Sequence, residues 1–131
     1  MRFLLPLILS CCSPALADQS VLKPLPLTLS CQSAGYSALQ DTAGTLRVLR
    51  YVRIVPDNSA RITQYYAASG RLQSVRATAS GFAGVLYDLT ASIGAKGDVV
   101  GEKGYRSKLF SGSLKSVIRD VGLIRSGRCI D

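Results

Sequence analysis

The chain predicts an all-β domain, a small antiparallel barrel or sandwich closed by one disulfide, with room for one short helix. Three observations predict it. Apolar and polar residues alternate with period two in several segments. Turn residues separate those segments at intervals of about 8–12 residues. Of the four cysteines among 131 residues, two remain after a leader is removed, one near each end of what is left.

The leader occupies residues 1–17. Arg2 is followed by the apolar run Phe3 to Leu9, small residues with Pro14, and then Ala15-Leu16-Ala17. Charged start, apolar middle and A-x-A end are the marks of a cleavable secretory signal, cut between Ala17 and Asp18. A spanning helix needs about 20 mainly apolar residues, and this run is shorter. Ile8-Leu9-Ser10-Cys11 also resembles a bacterial lipobox, so the alternative is a lipoprotein anchored through Cys11. Either way the expected location is the periplasm or the exterior, with no transmembrane segment in the mature form.

Removing 17 of the 131 residues leaves 114, one domain at 18–131 and enough chain to bury a core. The leader holds Arg2 and no acid, so of the formal charge of +8 the remainder carries +7. Such a surface attracts polyanions. Cys31 and Cys129, 98 positions apart, have no C-x-x-C partner and no histidine in the chain to share a metal. In an oxidising compartment they are expected to pair.

Along the chain, residues 18–24 read as an exposed lead-in. Leu25, Leu27, Leu29 and Cys31 alternate with polar residues and with Pro26, predicting a strand at a sheet edge. Residues 37–42 have room for one helical turn. Residues 45–55 predict a strand in which Arg50 lies on the opposite face from Arg47, Tyr51 and Arg53. Pro56 to Ser59 is a turn, because proline fixes φ and Asp and Asn bond locally. Residues 61–67 return as the hairpin partner. Ser69-Gly70 turns the chain into a strand over 72–79, and residues 85–93 give the cleanest alternation of all. Residues 94–104 are glycine-rich and predict a flexible loop. Residues 105–110 and 113–119 flank Ser111-Gly112 as a second hairpin, with a helix over 109–121 as the competing reading. Residues 123–130 predict a last strand carrying Cys129, so that the disulfide fastens first strand to last.

The chemistry available is narrow. Without histidine or a free mature cysteine, the common nucleophile–base pairs are absent, and so are His/Cys metal sites. No cofactor is expected, and the protein reads as a non-enzyme. Asp88 with Glu102 or Asp120 would be the acids of a carboxylate-dependent glycan hydrolase, the enzymatic alternative. The segment 94–104 lacks the Walker spacing of a phosphate loop. The strongest positive feature is basic and aromatic: Arg47, Arg53, Arg61, Arg76, Tyr51 and Tyr65 on neighbouring strands form a candidate binding face for an anionic envelope component or a protein partner. Export makes nucleic acid an unexpected ligand.

Leu27-Thr28-Leu29-Ser30-Cys31 at one end and Gly127-Arg128-Cys129 at the other resemble the ends of small uncharacterised bacterial envelope proteins. Ser69-Gly70-Arg71 is similar to the exposed loop of lysozyme-inhibitor-type periplasmic β-barrels, although Leu72 follows where that pattern has an aromatic residue. The second resemblance implies that Ser69, Gly70 and Arg71 plug the acidic cleft of a secreted hydrolase such as a lysozyme.

Overall fold

The computed structural model describes residues 21–129; the expected leader and cleavage site, Cys11, residues 18–20 and residues 130–131 lie outside the described residues. The chain is mostly β. Strands β1 (Lys23–Pro24), β2 (Tyr36–Gln40), β3 (Leu46–Val55), β4 (Asn58–Tyr66), β5 (Leu72–Gly81), β6 (Gly84–Ile93) and β7 (Val99–Arg106) form one antiparallel sheet in sequence order. Two five-residue helices, α1 (Leu29–Ser33) and α2 (Val121–Arg125), and a 3-10 turn at Leu114–Val117 complete it.

The expected barrel does not form, and neither does a second sheet among the described residues. The sheet is open, with β1 and β7 at opposite edges. Closure would require the first strand to carry a ladder. Instead β1 is two residues long, and Pro24 and Pro26 have no N–H to donate. The inner face is covered by the C-terminal segment: Leu114 and Ile124 are buried in the core, and Val117, Ile118 and Val121 pack against it. Central strands present small residues to that layer, Ala60, Ala77, Ala79 and Ala91, which leave room for a tightly laid segment.

Several expected elements differ. In place of a strand over 25–31, Leu25 and Leu27 reach the core from an irregular lead-in, and Thr28 caps α1 by accepting a hydrogen bond from the Cys31 amide at 3.3 Å. Residues 37–42 form no helical turn; Tyr36 and Ala38 point inward from β2. The glycine-rich stretch is a turn at 94–98 followed by β7. Its Gly104 has φ +124°, and a Cβ there would collide with the Asp88 carbonyl, so a glycine is what lets this strand lie against β6. The second hairpin is absent: residues 114–117 make a 3-10 turn, and residues 121–125 make α2, capped by the Asp120 carboxylate. Cys31 and Cys129 do pair, with Cα atoms 5.0 Å apart, but the bridge joins α1 to the chain just after α2 rather than strand to strand.

A polar cluster fixes the C-terminal layer on the sheet. Gln64 is fully buried. Its Oε1 accepts from the Arg119 amide at 2.7 Å, and its Nε2 donates to the Arg119 carbonyl at 3.1 Å and to the Tyr66 hydroxyl at 2.7 Å. The Tyr51 hydroxyl donates to the Val117 carbonyl. Tyr51 stacks on Tyr36 at 5.0 Å, and the Arg119 guanidinium lies 5.1 Å from the Tyr51 ring centre. In effect a side-chain amide takes the part of a neighbouring strand for one residue of the covering segment.

Burial raises the pKa of Tyr66 from 10.0, against a lowering by its Gln64 hydrogen bond and with a further rise from Asp120. Burial likewise raises Tyr87, which Arg53 partly offsets. The folded values lie above the unfolded ones, so this contribution to stability is complete below about pH 10 and disappears as pH climbs through the folded pKa values. Urea unfolding followed against pH is therefore expected to show stability falling from about pH 10 upward, with a shallower fall in Tyr66→Phe. An identical slope in the two proteins would contradict this.

Candidate functional site

The sheet has one covered face and one open face, and register decides which side chains occupy the open one. Across five strands the pairing runs Arg50↔Thr63, Thr63↔Arg76, Arg76↔Thr90 and Thr90↔Lys103, with Ser37 opposite Arg50 at the start. Directly paired residues point to the same side of a sheet, so these form one transverse row of alternating cation and hydroxyl. With strands about 4.8 Å apart, cations recur about every 10 Å and the row from Arg50 to Lys103 spans about 19 Å. Arg50, Arg76, Thr90 and Lys103 are exposed and Thr63 is half-buried.

The adjoining row is Val52, Arg61, Thr78, Asp88 and Tyr105. Arg76 Nη2 lies 2.9 Å from Asp88 Oδ1, and Arg76 Nη1 donates to Thr90 Oγ1 at 3.4 Å. Both charges of this pair are half exposed, so the pairing holds Arg76 in place more than it stabilises the fold. In these two rows Arg50, Arg61, Arg76 and Lys103 face a single acid, Asp88. A hollow of about 170 Å³ opens beside Arg61 and Asp88, lined also by Ser59, Thr78 and Ser80, where the β5–β6 ladder shifts register between Ala79 and Ser80. The surface offers guanidinium, ammonium and hydroxyl groups, a set suited to binding carboxylate, sulfate or phosphate oxygens along a polymer.

The six residues expected to form a basic and aromatic face divide between the two sides. Arg61, Arg76 and Tyr65 lie on the open face. Tyr51 is buried beneath the C-terminal layer. Arg47 is structural: its Nε donates to the Tyr66 carbonyl at 2.8 Å and its Nη1 lies 3.6 Å from Asp41. Arg53 is exposed but belongs to the covered face's register, in line with Ala60, Ala79 and Tyr87. Arg50 and Lys103 complete the open row instead. The parity of β3 already sets Arg50 apart from Arg47 and Arg53, and Lys103 is hidden in sequence by the glycines around it.

Ser69, Gly70 and Arg71 form the exposed β4–β5 turn, closed by Gly70 N donating to the Ala67 carbonyl and Ala67 N to the Arg71 carbonyl, each at 2.9 Å. The three acids of the hydrolase alternative are not brought together. Asp88 is on the open face, Glu102 grips Arg106 at 2.8 Å on the other side of the sheet, and Asp120 caps α2. Among the described residues no group of three or more His, Cys, Asp or Glu could hold a metal ion, and no helix is long and apolar enough to cross a membrane.

No protein family matches the sequence, and no curated protein or solved structure matches it either.

Proposed function

We propose that this is an exported, non-enzymatic protein of the bacterial envelope that binds an anionic component along the open face of its sheet. One observation carries the proposal: the in-register row Arg50–Thr63–Arg76–Thr90–Lys103. Cations separated by hydroxyl-bearing strands suit an extended acidic chain, whose charges meet arginine or lysine while its hydroxyls meet threonine. Binding of this kind weakens with salt because the contacts are solvent-exposed. The Cys31–Cys129 bridge fits an oxidising compartment, which agrees with export.

The test is elution from a sulfated-polysaccharide matrix over a salt gradient. Arg50→Glu with Lys103→Glu is expected to weaken binding by about tenfold or more and to elute much earlier. The control, Lys96→Glu with Arg128→Glu, makes the same change in net charge away from the row and is expected to elute close to wild type. Equal shifts in both pairs would mean that net charge, and not the row, governs binding.

The alternative, inhibition of a secreted hydrolase such as a lysozyme, retains one supporting observation: Ser69-Gly70-Arg71 is an exposed turn on a firm β-hairpin. Lysozyme inhibition that survives Arg71→Glu would dispose of that reading.

A further inference from the structure

The two ends of the sheet differ in character. One end carries the turns at 41–45, 67–71 and 94–98, whose residues include Asp41, Thr42, Ser69, Arg71, Lys96 and Asp98. The other end carries Pro56–Asp57 between β3 and β4, Phe82–Ala83 between β5 and β6, and the stretch 107–110 that leaves β7. Large apolar side chains stand in water there: Phe82 is 99% exposed, Ile54 78%, Leu109 75% and Val85 53%. The backbone that carries them is tied together. Phe82 N donates to the Asp57 carbonyl at 3.1 Å, tying the two turns together, and Ser107 N donates to the Leu86 carbonyl at 2.8 Å, tying the third segment beside them. Register places Ile54 and Val85 at either side of Ser59 and Ser80, on the same open face as the basic row.

Exposed cations flank this apolar end: Arg53 and Arg61 two and three pairs back from the turn-end pair Val55↔Asn58, and Lys108 beside Leu109. Asp57 is the acid within the three connections. An aromatic tip ringed by cations whose apolar stems can lie along lipid while their heads stay in water has the composition of an interfacial anchor. Anionic headgroups would attract the ring of charge and leave the apolar tip facing the acyl boundary.

We infer that this end of the sheet docks on an anionic bilayer surface, with Phe82 inserted at the level between headgroups and acyl chains. The inference rests on the reading of the protein as a binder of anionic envelope material and names a lipid surface as the partner of its apolar end. The chain contains no tryptophan, so Phe82→Trp places a single indole reporter at a fully exposed position where folding is not at stake. With vesicles of phosphatidylglycerol and phosphatidylcholine the emission is expected to move to shorter wavelength, to a lesser extent at high salt, and to stay put with phosphatidylcholine alone. Phe82→Asp with Leu109→Asp is expected to weaken partitioning onto the anionic vesicles by about tenfold or more. The same reporter protein is titrated in parallel with soluble dextran sulfate. Dextran sulfate binding without a wavelength shift on vesicles would overturn the bilayer inference and leave the proposed function standing. Failure to bind either would overturn both.

Discussion

Replacing both bridge cysteines, Cys31→Ala with Cys129→Ala, is expected to lower stability by about 3–4 kcal/mol and the melting temperature by about 10–15 °C. The bridge closes a loop spanning 98 positions, nearly the whole described chain, so it removes much freedom from the unfolded state. It also sits where the fold is least self-supporting. An open sheet with one covering layer keeps its core only while that layer stays down, and the bridge clamps the layer's last residues onto α1. Thermal unfolding of the variant beside the oxidised parent measures the effect. A loss below about 1 kcal/mol would mean that side-chain packing alone holds the layer.

Gln64→Leu is expected to cost about 3 kcal/mol. The substitution keeps the volume roughly constant but removes the hydrogen bonds that Gln64 makes to the Arg119 amide and carbonyl and to the Tyr66 hydroxyl, and losing such bonds in a buried cluster costs about 1–3 kcal/mol. Gln64→Glu should do worse at neutral pH, because an ionised carboxylate cannot donate to the Arg119 carbonyl and must be buried as a charge. Urea denaturation reads the stability, and amide hydrogen exchange over residues 113–125 reads the mechanism. Exchange there is expected to rise before exchange in β4 and β5. Stability within about 0.5 kcal/mol of the parent would show that the layer is held by its apolar side chains and that the amide is incidental.

How far the sequence could be read follows the same physics. The strands with alternating residues and proline- or glycine-marked turns, β3 to β6, are local signals, and they are legible. The ends are not. Leu25 and Leu27 alternate as in a strand, yet two prolines and the capping Thr28 redirect the chain into α1. Leu114, Val117, Val121 and Ile124 are spaced for covering a sheet by short turns, while the period-two reading of the same stretch sees a hairpin. The partner of a strand at an open edge is set by distant contacts, which is why closure into a barrel was the natural expectation and an open sheet the outcome.

The binding face was half legible for a related reason. Both faces of β3 are rich in apolar residues, Leu46, Val48 and Ile54 against Leu49 and Tyr51, so alternation alone does not say which faces the core. Tyr51 is lost to the surface because the covering layer comes down on it, Arg47 is taken up by Asp41 and the Tyr66 carbonyl, and Arg53, though exposed, lies on the covered side of the register. The row itself is a product of register between strands that are distant in sequence, and Lys103 joins it only because Gly104 allows β7 to pair closely with β6.

The measurement that tests the central claim most directly is a backbone amide NMR titration of the intact, oxidised protein with a soluble acidic polysaccharide. The account predicts that the largest shifts fall along Arg50, Thr63, Arg76, Thr90 and Lys103, with smaller ones at Arg61 and Thr78, and that salt reverses them. Shifts centred on the Ser69–Arg71 turn or on the covered face, with the row unmoved, would contradict it.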